Sequence, residues 1–156
     1  MSTKDTADER NSKPKALPRI LCAEDNQLVR DSLAAFFATA KLSVVFAVDG
    51  QHALDLLSAQ PDAFDLLITD HQMPRLDGLA LVRHLRQRNF SGQIIVFSSD
   101  LHPHDRAAYQ ALQVRDLLNK PEHRNDLLKL IEQLHYDLRR RLSDSSSTSP
   151  PNPSNA

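Results

Sequence analysis

The sequence predicts a doubly wound α/β fold of the (βα)5 type: a five-stranded parallel sheet with helices on both faces. Three observations lead there. Five short runs along the chain are apolar or β-branched, the signature of strands buried on both faces. Stretches whose apolar residues recur at helical spacing follow each of them. Four of the runs end against Glu, Asp, Ser or Lys, the chemistry that gathers at the carboxyl edge of such sheets.

The elements follow in order. Ile20-Leu21-Cys22-Ala23 is the first strand and ends in the acidic pair Glu24-Asp25. Val29, Leu33, Phe36, Phe37 and Ala40 then share one helical face. Val44 to Val48 is a second strand, and Asp49-Gly50 opens a helix carrying Ala53, Leu54, Leu56 and Leu57 that stops before Pro61. Leu66-Leu67-Ile68 is the third strand, ending at Thr69-Asp70. Leu79, Val82 and Leu85 make 78–88 helical. Ile94 to Phe97 is the fourth strand, ending at Ser98-Ser99-Asp100. A short helix over 105–112, a fifth strand over 114–119 and a long helix over 122–142 complete the domain.

Composition fits one domain with tails. Of 156 residues, 40% are hydrophobic and 25% charged, enough to support a core. Residues 1–16 are charged and nearly free of apolar side chains, and 143–156 are Ser, Thr, Pro and Asn; both are expected to be disordered, leaving a domain over 17–142. The net charge of −1 gives no electrostatic case for nucleic acid or a membrane surface. No apolar run approaches the ~18 residues that span a bilayer, and the N-terminus lacks a signal-peptide core, so a cytoplasmic protein is expected. The single cysteine, Cys22, excludes an internal disulfide and is expected to be a buried, inert thiol.

Glu24-Asp25, Asp70, Ser98 and Lys120 stand at predicted strand ends that this fold brings together. Carboxylates crowded on one edge repel unless a cation joins them. Mg2+ suits them, being a hard ion that prefers oxygen and tolerates few protein ligands. Lys120 adds an ammonium and Ser98 a hydroxyl. A nucleophile, a metal, an ammonium and a hydroxyl can together bind a phosphoryl group, and attack by Asp70 on phosphorus would give an acyl phosphate. The chain has three glycines and no G-x-x-x-x-G-K-[ST] loop, which excludes a P-loop nucleotide site.

The stretch Asp70-His71-Gln72-Met73-Pro74-Arg75-Leu76-Asp77-Gly78 resembles the phosphoacceptor loop of response-regulator receiver domains, D-x-x-M-P-x-x-D-G. The resemblance extends to Glu24-Asp25, Ser98 and Lys120-Pro121 and covers about Pro18 to Leu142. It implies the flavodoxin-like receiver fold and a stand-alone, chemotaxis-type regulator. It implies that Asp70 is the phosphorylated aspartate. Asp25 would bind Mg2+ directly, with Glu24 acting largely through metal-bound water, and the Gln72 backbone carbonyl as the remaining protein ligand. Ser98 would move to the phosphate, Lys120 would pair with it, and Lys120-Pro121 would be cis. The implied partners are a sensor histidine kinase or phosphotransfer protein upstream and an unidentified protein downstream. Such a module is no enzyme beyond its own phosphotransfer and dephosphorylation. Gln72 and Asp100 flank the approach of a hydrolytic water and are expected to tune phosphate lifetime.

The chain departs from the family pattern at several positions. Glu24 stands where Asp is commoner, and Ser99 where Ala is. Leu112-Gln113 replaces a small glycine-containing turn. Leu117 stands where Tyr or Phe usually reports phosphorylation, so the signal is expected to leave by another face. Two other readings compete. An aspartyl-phosphate phosphatase would commonly carry an acid–base Asp at the position of Gln72. A degenerate receiver would be a binding module only, which the retained Asp70, Ser98 and Lys120 oppose.

Among seven histidines, His102 and His104 form the one close pair and are expected in a loop, while His71 is expected to shape access to Asp70. Arg139-Arg140-Arg141 is expected to complement a helix C-terminus. Leu127, Leu128, Leu130, Ile131, Leu134 and Leu138 form either a wide core stripe or, in part, a homodimer or partner surface.

Overall fold

The structure is a computed structural model and describes residues 17–145. Its elements are β1 (Ile20–Ala23), α1 (Gln27–Thr39), β2 (Val44–Ala47), α2 (Gly50–Ala59), β3 (Leu66–Thr69), α3 (Gly78–Gln87), β4 (Gln93–Ser98), α4 (Pro103–Ala111), β5 (Asp116–Asn119) and α5 (Arg124–Ser145). The five strands pair in parallel in the order β2-β1-β3-β4-β5, which is the expected doubly wound (βα)5 sheet.

The strand period of two divides the core into two layers. Leu21, Ala23, Leu67, Ile94 and Val96 face one side, where Ala53, Leu54 and Leu57 of α2, Leu81, Val82 and Leu85 of α3 and Tyr109 of α4 cover them. Ile20, Cys22, Leu66, Ile68, Ile95 and Phe97 face the other, under Leu33 and Phe37 of α1 and Leu127, Ile131 and Leu134 of α5. With both faces covered, β1 and β3 are buried along their length and β4 from Ile94 onward, which is why they read as continuous apolar runs. Leu128, Leu130 and Leu138 also pack against the second layer, so the leucines of α5 form a wide core stripe; Tyr136 and Leu142 are its exposed large apolar residues.

Three helices start on side-chain caps: Asn26 accepts from Val29 N–H, Asp49 from His52 N–H and Asp77 from Ala80 N–H. Several boundaries differ from the sequence expectation. α4 starts at Pro103, so His104 lies in its first turn and not in a loop; proline at the first helical position gives up an N–H that has no partner there anyway. β5 starts at Asp116, because Gln113 turns the chain at a φ of 56° and Val114 is spent closing that turn onto Tyr109 O. α5 continues to Ser145, so Arg139-Arg140-Arg141 lies before its last turn. The hydroxyl of Ser143 donates back to the carbonyls of Arg139 and Arg140, and that of Ser145 to Leu142, whose carbonyl the helix end leaves open. The tails expected at 1–16 and 143–156 otherwise lie outside the described residues.

Candidate functional site

The chain leaves β1 for β2 on one side and returns to β3 on the other, so the strand order reverses between β1 and β3. The candidate site lies at their carboxyl ends, as this class of sheet requires. Ala23 pairs with Thr69, so the next residues, Glu24 and Asp70, emerge side by side. The Asp70 N–H still donates to Ala23 O (3.0 Å) and the Glu24 N–H to Ala47 O (3.1 Å), which fixes both against the sheet. One carboxylate oxygen each from Glu24, Asp25 and Asp70 lie within 4.8 Å of one another. Glu24 is buried, Asp70 half-buried and Asp25 exposed.

Lys120 follows β5, where its N–H donates to Ser98 O (3.1 Å), and its peptide bond to Pro121 is cis. Its ammonium forms an ion pair with Glu24 and donates to Asp70 Oδ2 at 3.1 Å. Burial disfavours that charge, but Asp70 and Glu24 outweigh it and hold the ammonium above its ordinary range. Burial raises the Glu24 carboxyl, and the bond from Lys120 offsets this only in part. The other Glu24 oxygen accepts the Asn26 N–H (3.1 Å). Beneath the site, burial pushes the Cys22 thiol up to about 12, in keeping with an inert core cysteine.

The loop after β3 is held from several sides. The His71 N–H donates to Asp70 Oδ1 at 2.6 Å, and His71 O accepts from Gly78 N–H at 2.8 Å. Gly78 has no alternative: a Cβ there would lie 2.1 Å from Asp70 O and 2.8 Å from the Tyr109 hydroxyl. Pro74 keeps Met73 out of helix, and Met73 is buried. Arg75 sits in the left-handed region (φ 66°), and its guanidinium grips Asp49 with a two-pronged contact of 2.7 and 2.9 Å. The His71 ring meets the fully buried Tyr109 edge-on, Nδ1 lying 2.9 Å from the hydroxyl. Its Nε2 faces Asp105 at 3.4 Å. Burial, with Asp77 and Asp105 nearby, raises the Tyr109 phenol far above its usual range, so it stays protonated.

The structure thus brings Glu24, Asp25, Asp70 and Lys120 into one cluster. Ser98 is buried at the end of the neighbouring strand β4, two residues past Val96, the partner of Thr69. Gln72 is exposed on the loop, and Ser99 and Asp100 are exposed after β4. Sequence reasoning placed Asp49 at the start of a helix but missed its partner Arg75, and it missed Tyr109. The grip of Asp49 on a residue 26 positions away has no local signal.

The model of the response regulator receiver domain family matches residues 20–132, and the chain belongs to that family, the receiver modules of two-component response regulators. It is 36% identical over 123 residues to the Regulator of RpoS of Escherichia coli K12, covering 79% of this chain and 35% of that protein. It is also 36% identical over 126 residues to Response regulator MprA of Mycolicibacterium vanbaalenii, covering 81% and 52%. The chain therefore spans at most about half the length of these relatives. Among solved structures, a response regulator receiver protein from Pseudomonas putida superposes with a TM-score of 0.68 at 29% identity, covering 76% of this chain and 98% of that one. The receiver domain of a sensor histidine kinase from Pseudomonas aeruginosa, solved with a magnesium ion coordinated in its active-site cleft, superposes with a TM-score of 0.64 at 26% identity, covering 77% and 98%.

The donor set here fits such an ion. It is all oxygen, one of its carboxylates is open to solvent, and the Lys120 ammonium pairs with Glu24 and Asp70 and leaves Asp25 for a second cation.

Proposed function

We propose that Asp70 accepts a phosphoryl group from the phosphohistidine of a sensor histidine kinase or phosphotransfer protein, and that the phosphorylated domain signals by protein–protein contact. The observation that carries this reading is the position of Asp70: its carboxylate stands among Glu24, Asp25 and the Lys120 ammonium at the strand-order switch.

In the transfer, an Asp70 carboxylate oxygen forms the new bond to phosphorus while the phosphorus–nitrogen bond to the donor imidazole breaks, the electron pair leaving with the imidazole. Lys120 neutralises the phosphoryl charge that arrives beside Asp70 Oδ2. Ser98, buried at the end of β4, donates its hydroxyl to a phosphoryl oxygen. Asp25, Asp70 and the Gln72 carbonyl would hold Mg2+, with Glu24 behind them bonded to Lys120. Bound Mg2+ supplies positive charge that offsets the carboxylates and the phosphoryl oxygens. Gln72 and Asp100, both exposed, flank the approach of water and set how long the phosphate lasts. The tails at 1–16 and 146–156 are proposed to lie outside the receiver, and the cytoplasm is the compartment where such donors work. Among the described residues no helix is long and apolar enough to cross a membrane.

The test is intact mass after incubation with Mg2+ and acetyl phosphate. The expected result is a gain of one phosphoryl group that is absent in Asp70→Asn. A gain that survives Asp70→Asn, or no gain in the wild type, overturns the reading. Sustained turnover of phosphate monoesters would point to a phosphatase.

A further inference from the structure

We propose that Tyr109, acting through His71, is the positioning residue that couples the carboxylate of Asp70 to helix α4. The proposal rests on the reading of Asp70 as the phosphoacceptor.

The connection is continuous. Asp70 Oδ1 accepts the His71 N–H at 2.6 Å, a short bond to a charged acceptor. The ring of the same residue holds the Tyr109 hydroxyl at 2.9 Å and faces Asp105 at 3.4 Å. Tyr109 and Asp105 both belong to α4, one facing the core and one in its first turn. The two ring nitrogens thus meet two residues of the same helix, Nδ1 the Tyr109 hydroxyl and Nε2 the Asp105 carboxylate.

The bonds are also hard to exchange for water. Tyr109 is fully buried and Asp105 nearly so. Gly78 packs its backbone against both Asp70 O and the Tyr109 hydroxyl, which leaves no room for slack between the loop and α4. A phosphoryl group on Asp70 moves negative charge from the carboxylate outward, which weakens its hold on the His71 N–H. If His71 shifts, the buried hydroxyl of Tyr109 must follow or lose its partner, and an unpaired buried hydroxyl is costly. The strain therefore passes to α4. The facing position on β5 cannot serve in its place: Leu117 is aliphatic and packs against the same core layer as Tyr109.

The test uses hydrogen exchange on the full chain, with and without beryllium fluoride and Mg2+, for the wild type and Tyr109→Phe. Acetyl phosphate labelling of each is read by intact mass. The expected result is that exchange over 103–111 changes by about threefold or more in the wild type. In Tyr109→Phe the response should fall below half of that, while the variant still takes up the label. An α4 response that survives in Tyr109→Phe, or a labelled wild type whose α4 does not respond, overturns the coupling. A wild type that takes no label overturns the reading of Asp70, and the coupling falls with it. His71→Gln, which keeps the backbone N–H and removes the ring, repeats the exchange comparison if Tyr109→Phe lowers protection of β1 and β3.

Discussion

Glu24 and Lys120, 96 residues apart in the chain, form an ion pair at the carboxyl edge of the sheet, with side chains 3% and 13% exposed. The pair closes the site from β1 to β5 and leaves Lys120 a second bond for Asp70. Lys120→Met keeps the aliphatic stem and removes the charge. It is expected to destabilise the domain by about 2 kcal/mol near neutral pH, because Glu24 remains buried without its partner. The sign of the pH effect follows from Glu24, whose carboxyl burial already raises. A raised acid gives stability that is full below its unfolded value and lost as pH rises through the folded one. Urea unfolding of the variant should therefore show a smaller deficit at about pH 5 than near neutrality.

The acid limb of stability should come from two other pairs. The bond from Arg75 holds Asp49 below the usual carboxylate range, and the bond from Arg19 does the same for Asp65. Depressed acids give stability that is present above the unfolded value of about 3.9 and lost as pH falls through the folded one. Unfolding followed from neutrality into this acid window should show a loss of stability below about pH 4 that is flatter in Asp49→Asn and in Asp65→Asn.

Gly78→Ala should be far more damaging than a glycine-to-alanine change in an ordinary helix. Its Cβ would enter backbone space at Asp70 O, 2.1 Å away. A destabilisation of about 2 kcal/mol is expected, together with slower labelling of Asp70 by acetyl phosphate. Urea midpoints and the time course of intact mass check both.

Mg2+ should raise the thermal midpoint of the wild type, since a ligand of the folded state alone stabilises it by mass action. Asp25→Asn is expected to move the concentration needed for half that effect upward by about tenfold or more. Chelation with EDTA should abolish the mass gain from acetyl phosphate in the wild type.

Much of this was legible in the sequence for a physical reason. A parallel sheet buried on both faces leaves continuous apolar runs such as Leu66-Leu67-Ile68, and strand ends meet wherever the topology sends them. Glu24, Asp25, Asp70 and Lys120 could therefore be grouped before their distances were known. Element ends were less legible. Ser143 and Ser145 read as tail composition, yet their hydroxyls bond back to α5 carbonyls and carry the helix on. Tyr109 was hidden for a different reason. Its helix, Pro-His-Asp-Arg-Ala-Ala-Tyr-Gln-Ala, has little apolar face of its own, and its partner His71 is 38 residues away. Side-chain bonds between distant loops and helices leave no period for a sequence reading to detect.

Cys22 lies in the middle of the central sheet, 1% exposed, and is the one cysteine of the chain. It shares β1 with the residues that lead directly into Glu24 and Asp25. A thiol reagent can reach it only when the α1 and α5 layer opens away from the sheet, so its alkylation rate is a built-in clock for opening of that layer. Comparing that rate before and after modification of Asp70 would reveal how far a charge added at the rim tightens or loosens the packing below, without placing any foreign probe in the protein.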